Sequence, residues 1–235
     1  MAKTISYETL EKLSVASPVD RLAYIADACR GQRVLDIGCL DETALAKRDT
    51  EYWLHGRIAA VASRVIGVDA SLHIPDEGLV TGSNAVIYRG DGIDPHPPAL
   101  DDSQIDVIVA GEFIEHIELP VTFIATMRKR FAGRELLLST PNGLAFGNTL
   151  AGLFRREAQH PDHLHLFTYK IINTLCLRAG LSDYEIIPYR FYATELLLAS
   201  GGAKRLAVRA LEQGVRLMES IAPQLSFGYI LRAKL

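Results

Sequence analysis

Glu112, Glu115 and His116 stand within five positions of one another, immediately after the apolar run at 105–111. If a helical turn begins where that run ends, positions i, i+3 and i+4 share a face and the three groups converge. Two carboxylates and an imidazole at this spacing could bind a hard divalent cation such as Mg²⁺ or Mn²⁺. The alternative is a helix start whose acidic residues are favoured by the dipole, with His116 hydrogen-bonded inside the turn. A second polar stretch, 159–170, carries His160, His163 and His165 and follows the next apolar run, so it is expected to return to the same rim.

These groups need a frame that presents strand ends. Short apolar runs at 33–38, 64–71, 85–92, 105–111 and 135–143 read as buried strands, each closing in polar or glycine residues. Segments that can be helical, among them 52–63 and 119–133, fall between them, which implies an α/β fold with a doubly wound parallel sheet. Ligands of such sheets sit outside the carboxyl ends of the strands. Ahead of the first run, Ser17 as N-cap, Pro18 at the first helical position and Gly31 as a stop predict a helix. The tail reads differently: strands at 184–192 and 225–235, with a helix at 201–221 between them. We read one domain over 1–235, divided into a helical N-terminal lid (1–30), a core (31–190) and a closing lid segment with the final strand (191–235).

Hydrophobic content of 49%, charged content of 23% and a net charge of -3 describe an ordinary globular chain without a basic arm, which argues against nucleic acid as partner. Cys29, Cys39 and Cys176 are odd in number and widely spaced, the pattern of reduced thiols. The N-terminus has no signal-peptide core, and no apolar run approaches the ~20 residues of a membrane span, so a cytoplasmic protein is expected.

Taken in order, VLDIGC, VIGVDAS, RGDG, IDVIVAGEFIEH and LLLSTPNG resemble the motifs of class I S-adenosylmethionine-dependent methyltransferases over roughly residues 30–190. The resemblance implies a seven-stranded sheet whose last two strands form an antiparallel hairpin. It also implies roles. Asp36, Gly38 and Cys39 would meet the methionine part of the cofactor, and Asp69 with Ala70 the ribose. Asp91 and Gly92 would face adenine, and Gly111 and Glu112 would lie near the sulfonium. One departure stands out: Leu40, Asp41 and Glu42 occupy positions where the family continues with glycines. The longer loop after them brings Trp53 and His55 either over the cofactor or into a surface loop anchored by a buried Trp.

The Glu-x-x-Glu-His turn and the later Asp162-His163 are similar to those of Hen-type small-RNA 2′-O-methyltransferases, where such residues hold a metal. The resemblance therefore implies a metal set of Glu112, Glu115, His116 and His163. Ubiquinone-pathway O-methyltransferases resemble the chain at the same turn, and bacterial sugar- and polysaccharide-pathway methyltransferases at both stretches. The expected function is O-methylation of a sugar or glycan hydroxyl, with His116 or His163 as general base if no metal binds. The alternatives are RNA 3′-terminal 2′-O-methylation and a non-catalytic cofactor-binding subunit. Phe146, Phe154 and Tyr192 fit an apolar lid, a homodimer surface or core packing equally well, and Arg155 with Arg156 could meet a phosphate.

Overall fold

The computed structural model describes residues 8, 10–40, 44–157 and 159–235. Its strands are β1 (Arg33–Ile37), β2 (Arg64–Asp69), β3 (Leu79–Gly82), β4 (Ala85–Arg89), β5 (Val107–Gly111), β6 (Glu135–Pro141), β7 (Asp183–Tyr189) and β8 (Gly228–Lys234). The helices are α1 (Arg21–Ala28), α2 (Ala44–Lys47), α3 (Leu54–Ala59), α4 (Pro120–Arg130), α5 (Phe146–Leu153), α6 (Tyr169–Arg178), α7 (Thr194–Leu198) and α8 (Gly202–Ile221). One sheet holds all eight strands in the order β3-β4-β2-β1-β5-β6-β8-β7. The pairs β4-β2-β1-β5-β6 are parallel, while β8 runs antiparallel to both β6 and β7.

The apolar runs become strands because both faces of the sheet are covered. Side chains alternate in direction along a strand. Accordingly Leu35, Ile37, Ile108, Leu136 and Leu138 enter one core with Phe123 and Met127 of α4, whereas Val34, Val107, Val109 and Leu137 enter another with Ile25 of α1 and Ile58 of α3. Such continuous Val/Ile/Leu runs belong to a sheet buried on both sides.

Two expectations are corrected. Among the described residues the sheet has eight strands rather than seven, because β3 adds an antiparallel edge to β4 across the short link Ser83–Asn84. Its sequence, Leu-Val-Thr-Gly, holds too few apolar residues to announce a strand. The first helix starts at Arg21 with Asp20 as cap, its carboxylate accepting from the Ala23 amide at 2.8 Å. Ser17 and Pro18 stay extended, because Val19 bridges to Tyr189 of β7 and its amide donates to the Pro188 carbonyl at 2.9 Å. Gly31, at φ 70°, ends the helix as expected.

Candidate active site at the carboxyl ends of the strands

The parallel register carries the ends of β1, β2 and β5 to one edge, with Ile37 opposite Val68 and Ala110. Over that edge opens a cavity of about 510 Å³, a size suited to a small ligand. Of the expected cofactor residues, Asp36, Gly38, Cys39, Gly111 and Glu112 line it, whereas Asp69, Ala70, Asp91 and Gly92 stand further along the same edge. Asp69 accepts the amides of Leu40 and Ser71, each at 2.9 Å, which ties the loop after β1 to the end of β2. Asp91 accepts the Ile93 amide at 2.8 Å in a tight local turn.

The loop after β1 is not held by glycines. Trp53 is buried, and its indole N–H donates to the Cys39 carbonyl at 3.0 Å. His55, also buried, shares 2.8 Å hydrogen bonds with Asp36 through Nδ1 and with Thr81 of β3 through Nε2. Trp53 and His55 are thus buried anchors of this insertion, and both line the cavity. Asp41 and Glu42 lie outside the described residues. Gly38, at φ 66°, has no room for a side chain: a Cβ there would stand 2.8 Å from the Phe113 ring, and one on Gly92 2.9 Å from it. Phe113 thus roofs the first loop and the loop after β4 together.

Glu112 departs from the expected helical turn. It takes φ 57°, the left-handed region, which costs a non-glycine residue about 1–3 kcal/mol and clusters at functional sites. That twist separates it from Glu115 and His116. Its carboxylate instead accepts the Tyr189 hydroxyl at 2.6 Å and lies 3.4 Å from the Arg21 guanidinium. Arg21 also donates to the Ser139 hydroxyl at 3.0 Å, while its own amide donates to the Tyr192 hydroxyl. Burial opposes the Arg21 charge most strongly, but Glu112, Tyr189, Tyr192 and Glu115 together outweigh it and raise the pKa. Burial and the Glu112 charge hold the Tyr189 phenol well above its usual range. Arg21, Ser139 and Tyr189 escaped the sequence reading; only Ser139, at a strand end, carried a positional signal.

The histidine stretch does return to this rim. The amides of Leu164 and His165 donate to the Glu115 carbonyl at 2.8 and 3.2 Å. Glu115, His116 and His163 can then offer ligand atoms all within 4.8 Å of one another, without Glu112. The rings of His116 and His163 stand 4.8 Å apart, and His160 stands 5.6 Å from His163. Glu115 is 1% exposed, and neither carboxylate oxygen has a hydrogen-bond partner among the described residues. Burial, reinforced by the Glu112 charge, raises its pKa well above the carboxylate range, with its own amide, the nearby Thr140 hydroxyl and Arg21 opposing the rise. Burial also lowers the pKa of His163, with His116 adding to the effect. The His165 ring packs on Phe167, and its Nε2 is buried without a partner among the described residues.

The residues that fit a lid, a dimer surface or the core divide. Tyr192 lines the cavity, Phe146 is half-buried, and Phe154, Arg155 and Arg156 are exposed. No described helix is long and apolar enough to cross a membrane.

A parallel sheet closed by an antiparallel hairpin, with acidic residues at successive strand ends, defines the class I methyltransferase architecture. The chain belongs to the methyltransferase domain family, whose pattern it matches over residues 8–186. It is accordingly an S-adenosylmethionine-dependent methyltransferase. Among solved structures it resembles an S-adenosylmethionine-dependent methyltransferase from Archaeoglobus fulgidus, at TM-score 0.55 and 18% identity, covering 92% of this chain and 91% of that one. Magnesium protoporphyrin IX methyltransferase from Synechocystis PCC 6803 aligns at TM-score 0.53 and 16% identity, covering 90% and 78%. Small RNA methyltransferase HEN1 aligns at TM-score 0.55 and 19% identity, covering 99% of this chain but 27% of that protein. These likenesses concern the fold. No curated protein matches the chain.

Proposed function

We propose that this chain methylates a hydroxyl oxygen of a small acceptor, a sugar or glycan, with a divalent cation held by Glu115, His116 and His163. The observation that carries this reading is the Glu115 carboxylate, buried without a hydrogen-bond partner and facing two imidazoles. An unpaired buried carboxylate is costly, and a cation among these donors would offset that cost. One carboxylate and two imidazoles suit Mn²⁺ or another borderline cation as well as Mg²⁺. When bound there, such an ion stabilises the negative charge developing on the acceptor oxygen.

The remaining work is positioning. Methyl transfer requires the acceptor oxygen in line with the sulfonium at ~3–3.5 Å. Arg21, at the cavity wall, offers its guanidinium to the carboxylate of the cofactor's methionine end. Asp69 is assigned to the ribose and Asp91 to the adenine side, beside the Phe113 ring. The depressed pKa of His163 keeps its imidazole neutral near pH 7, the state needed to ligate a cation or to accept the acceptor's proton. Transfer then breaks the carbon–sulfur bond, forms a carbon–oxygen bond and passes the hydroxyl proton to a base or to water.

The test is transfer of a labelled methyl group to a panel of sugars with and without neighbouring hydroxyls, and to RNA 3′ ends, with Mn²⁺ or a chelator. Chelator-sensitive, oxygen-linked label on a sugar diol supports the proposal. Label on nitrogen, or transfer indifferent to chelator and to Glu115→Gln, would sink it. Label on RNA alone would move the acceptor to the 2′-hydroxyl.

A further inference from the structure

Helix α8 carries an apolar face that the fold leaves in solvent. Its inward side, Val208, Glu212, Val215 and Glu219, recurs every three to four residues and is buried. Both carboxylates on that side are engaged: Glu219 accepts the amides of Phe191 and Phe227, and Glu212 pairs with Arg216 at 2.8 Å. At 100° per residue, Leu206, Ala210, Leu217 and Ile221 fall on the opposite side, and Met218 and Leu211 widen that arc along one flank. Leu206 is 68% exposed, Leu217 62% and Ile221 69%. An outward stripe this apolar on a lone surface helix marks an interaction site.

The charges say what it meets. With both glutamates turned inward, the exposed charged residues of α8 are Lys204, Arg205 and Arg209, all basic, in a chain of net charge -3. Lys204 borders the apolar arc on one side and Arg209 on the other, with Arg205 beyond Arg209 toward the buried face. A second copy of α8 would offer these cations no carboxylate. Such a pair would also bury a strip about 30 Å long and 10 Å wide, about 300 Å² per copy, against the ~800 Å² per partner of a standard interface. Basic borders around an apolar stripe complement an anionic lipid surface.

We propose that α8 is an in-plane docking helix that seats this enzyme on an anionic membrane surface. It has the length to lie on a bilayer and lacks the apolar content to cross one. The neighbours of α8 extend the surface toward the cavity. Helix α7 packs against α8, exposes Leu196 and Leu198, and places Leu196 in the cavity lining. Helix α5, also packed against α8, ends in exposed Leu153 and Phe154 followed by Arg155 and Arg156. Glu195 is the exposed acidic residue of α7. Docking would bring the cavity mouth to the headgroup layer, whatever acceptor it takes.

The full chain would be co-sedimented with vesicles of phosphatidylcholine alone and of phosphatidylcholine mixed with phosphatidylglycerol. Preferential partition onto the anionic vesicles is expected. Arg205→Gln with Arg209→Gln should weaken it about thirtyfold, at about 1 kcal/mol per charge. Leu206→Gln with Leu217→Gln should weaken it at least about a hundredfold. Both variants should keep wild-type S-adenosylhomocysteine affinity, which reports the fold. No partition onto anionic vesicles, or equal partition onto neutral ones, overturns the proposal. So does a dimer in light scattering that the leucine variant converts to monomer, because the occupant is then a second copy.

Discussion

Glu112 and Glu115 are three positions apart, yet their carboxylates serve different neighbours: Glu112 meets Arg21 and Tyr189, and Glu115 faces His116 and His163. The left-handed backbone at Glu112 makes that divergence. It divides the rim into a cavity wall with a paired cation and an adjoining pocket with a buried carboxyl group.

Removing the cation of the wall tests its assignment to the cofactor. Arg21→Ala should weaken S-adenosylhomocysteine binding at least about tenfold, since a charge-assisted hydrogen bond contributes about 1.5–3 kcal/mol. Calorimetry reads this directly. Unchanged affinity would leave Arg21 as the partner of Glu112 alone.

Tyr189 reaches Glu112 across the start of β8, where its ring occupies the space a side chain on Gly228 would need. Gly228→Ala should therefore cost about 3 kcal/mol or more in chemical denaturation, through overpacking of a buried ring. Tyr189→Phe, which removes only the hydrogen bond, should cost less, about 1–2 kcal/mol. Equal losses would contradict this account of the glycine.

Glu219 is 1% exposed and accepts the Phe191 amide at 3.0 Å and the Phe227 amide at 2.9 Å. Glu219→Ala strands two half-buried N–H donors and should cost about 1–3 kcal/mol, whereas Glu219→Gln keeps an acceptor and should recover most of it. Thermal unfolding of the pair would show whether α8 is held by these bonds or by Val208 and Val215.

At the opposite end of the sheet, hydrogen bonds from Arg33 hold the Asp106 carboxyl down at about 2. The folded value lies below the ordinary ~3.9, so the folded chain binds fewer protons than the unfolded one. Stability from this pair is present above about pH 4 and is lost as pH falls through about 2. Discounted for solvent screening, Asp106→Asn should cost ~1 kcal/mol at pH 7. The difference should fade near pH 2 in urea titrations at successive pH values.

The strands legible in the sequence were those whose signal is local. Runs such as Val34–Ile37 and Val107–Ala110 are apolar because both sheet faces are covered, and that pattern is written into consecutive residues. The edge strand β3 needs only four residues and a partner, so it left no such trace. The helix start moved from Ser17 to Asp20 because Val19 pairs with Tyr189, a contact no neighbouring residue encodes. At the site, the return of the histidine stretch to Glu115 followed from strand order. The turn of Glu112 toward Tyr189, 77 positions away, did not. Helical spacing predicts convergence only where the backbone is helical, and here it is left-handed.

The most direct test of the proposed chemistry is calorimetric titration of Mn²⁺ into protein saturated with S-adenosylhomocysteine. One equivalent of Mn²⁺ should bind. Glu115→Gln should abolish the heat while leaving cofactor affinity intact, and Glu112→Gln should retain it. Absence of metal heat in the wild type, or heat that survives Glu115→Gln, would contradict the cation site and leave His116 or His163 as the base for the acceptor hydroxyl.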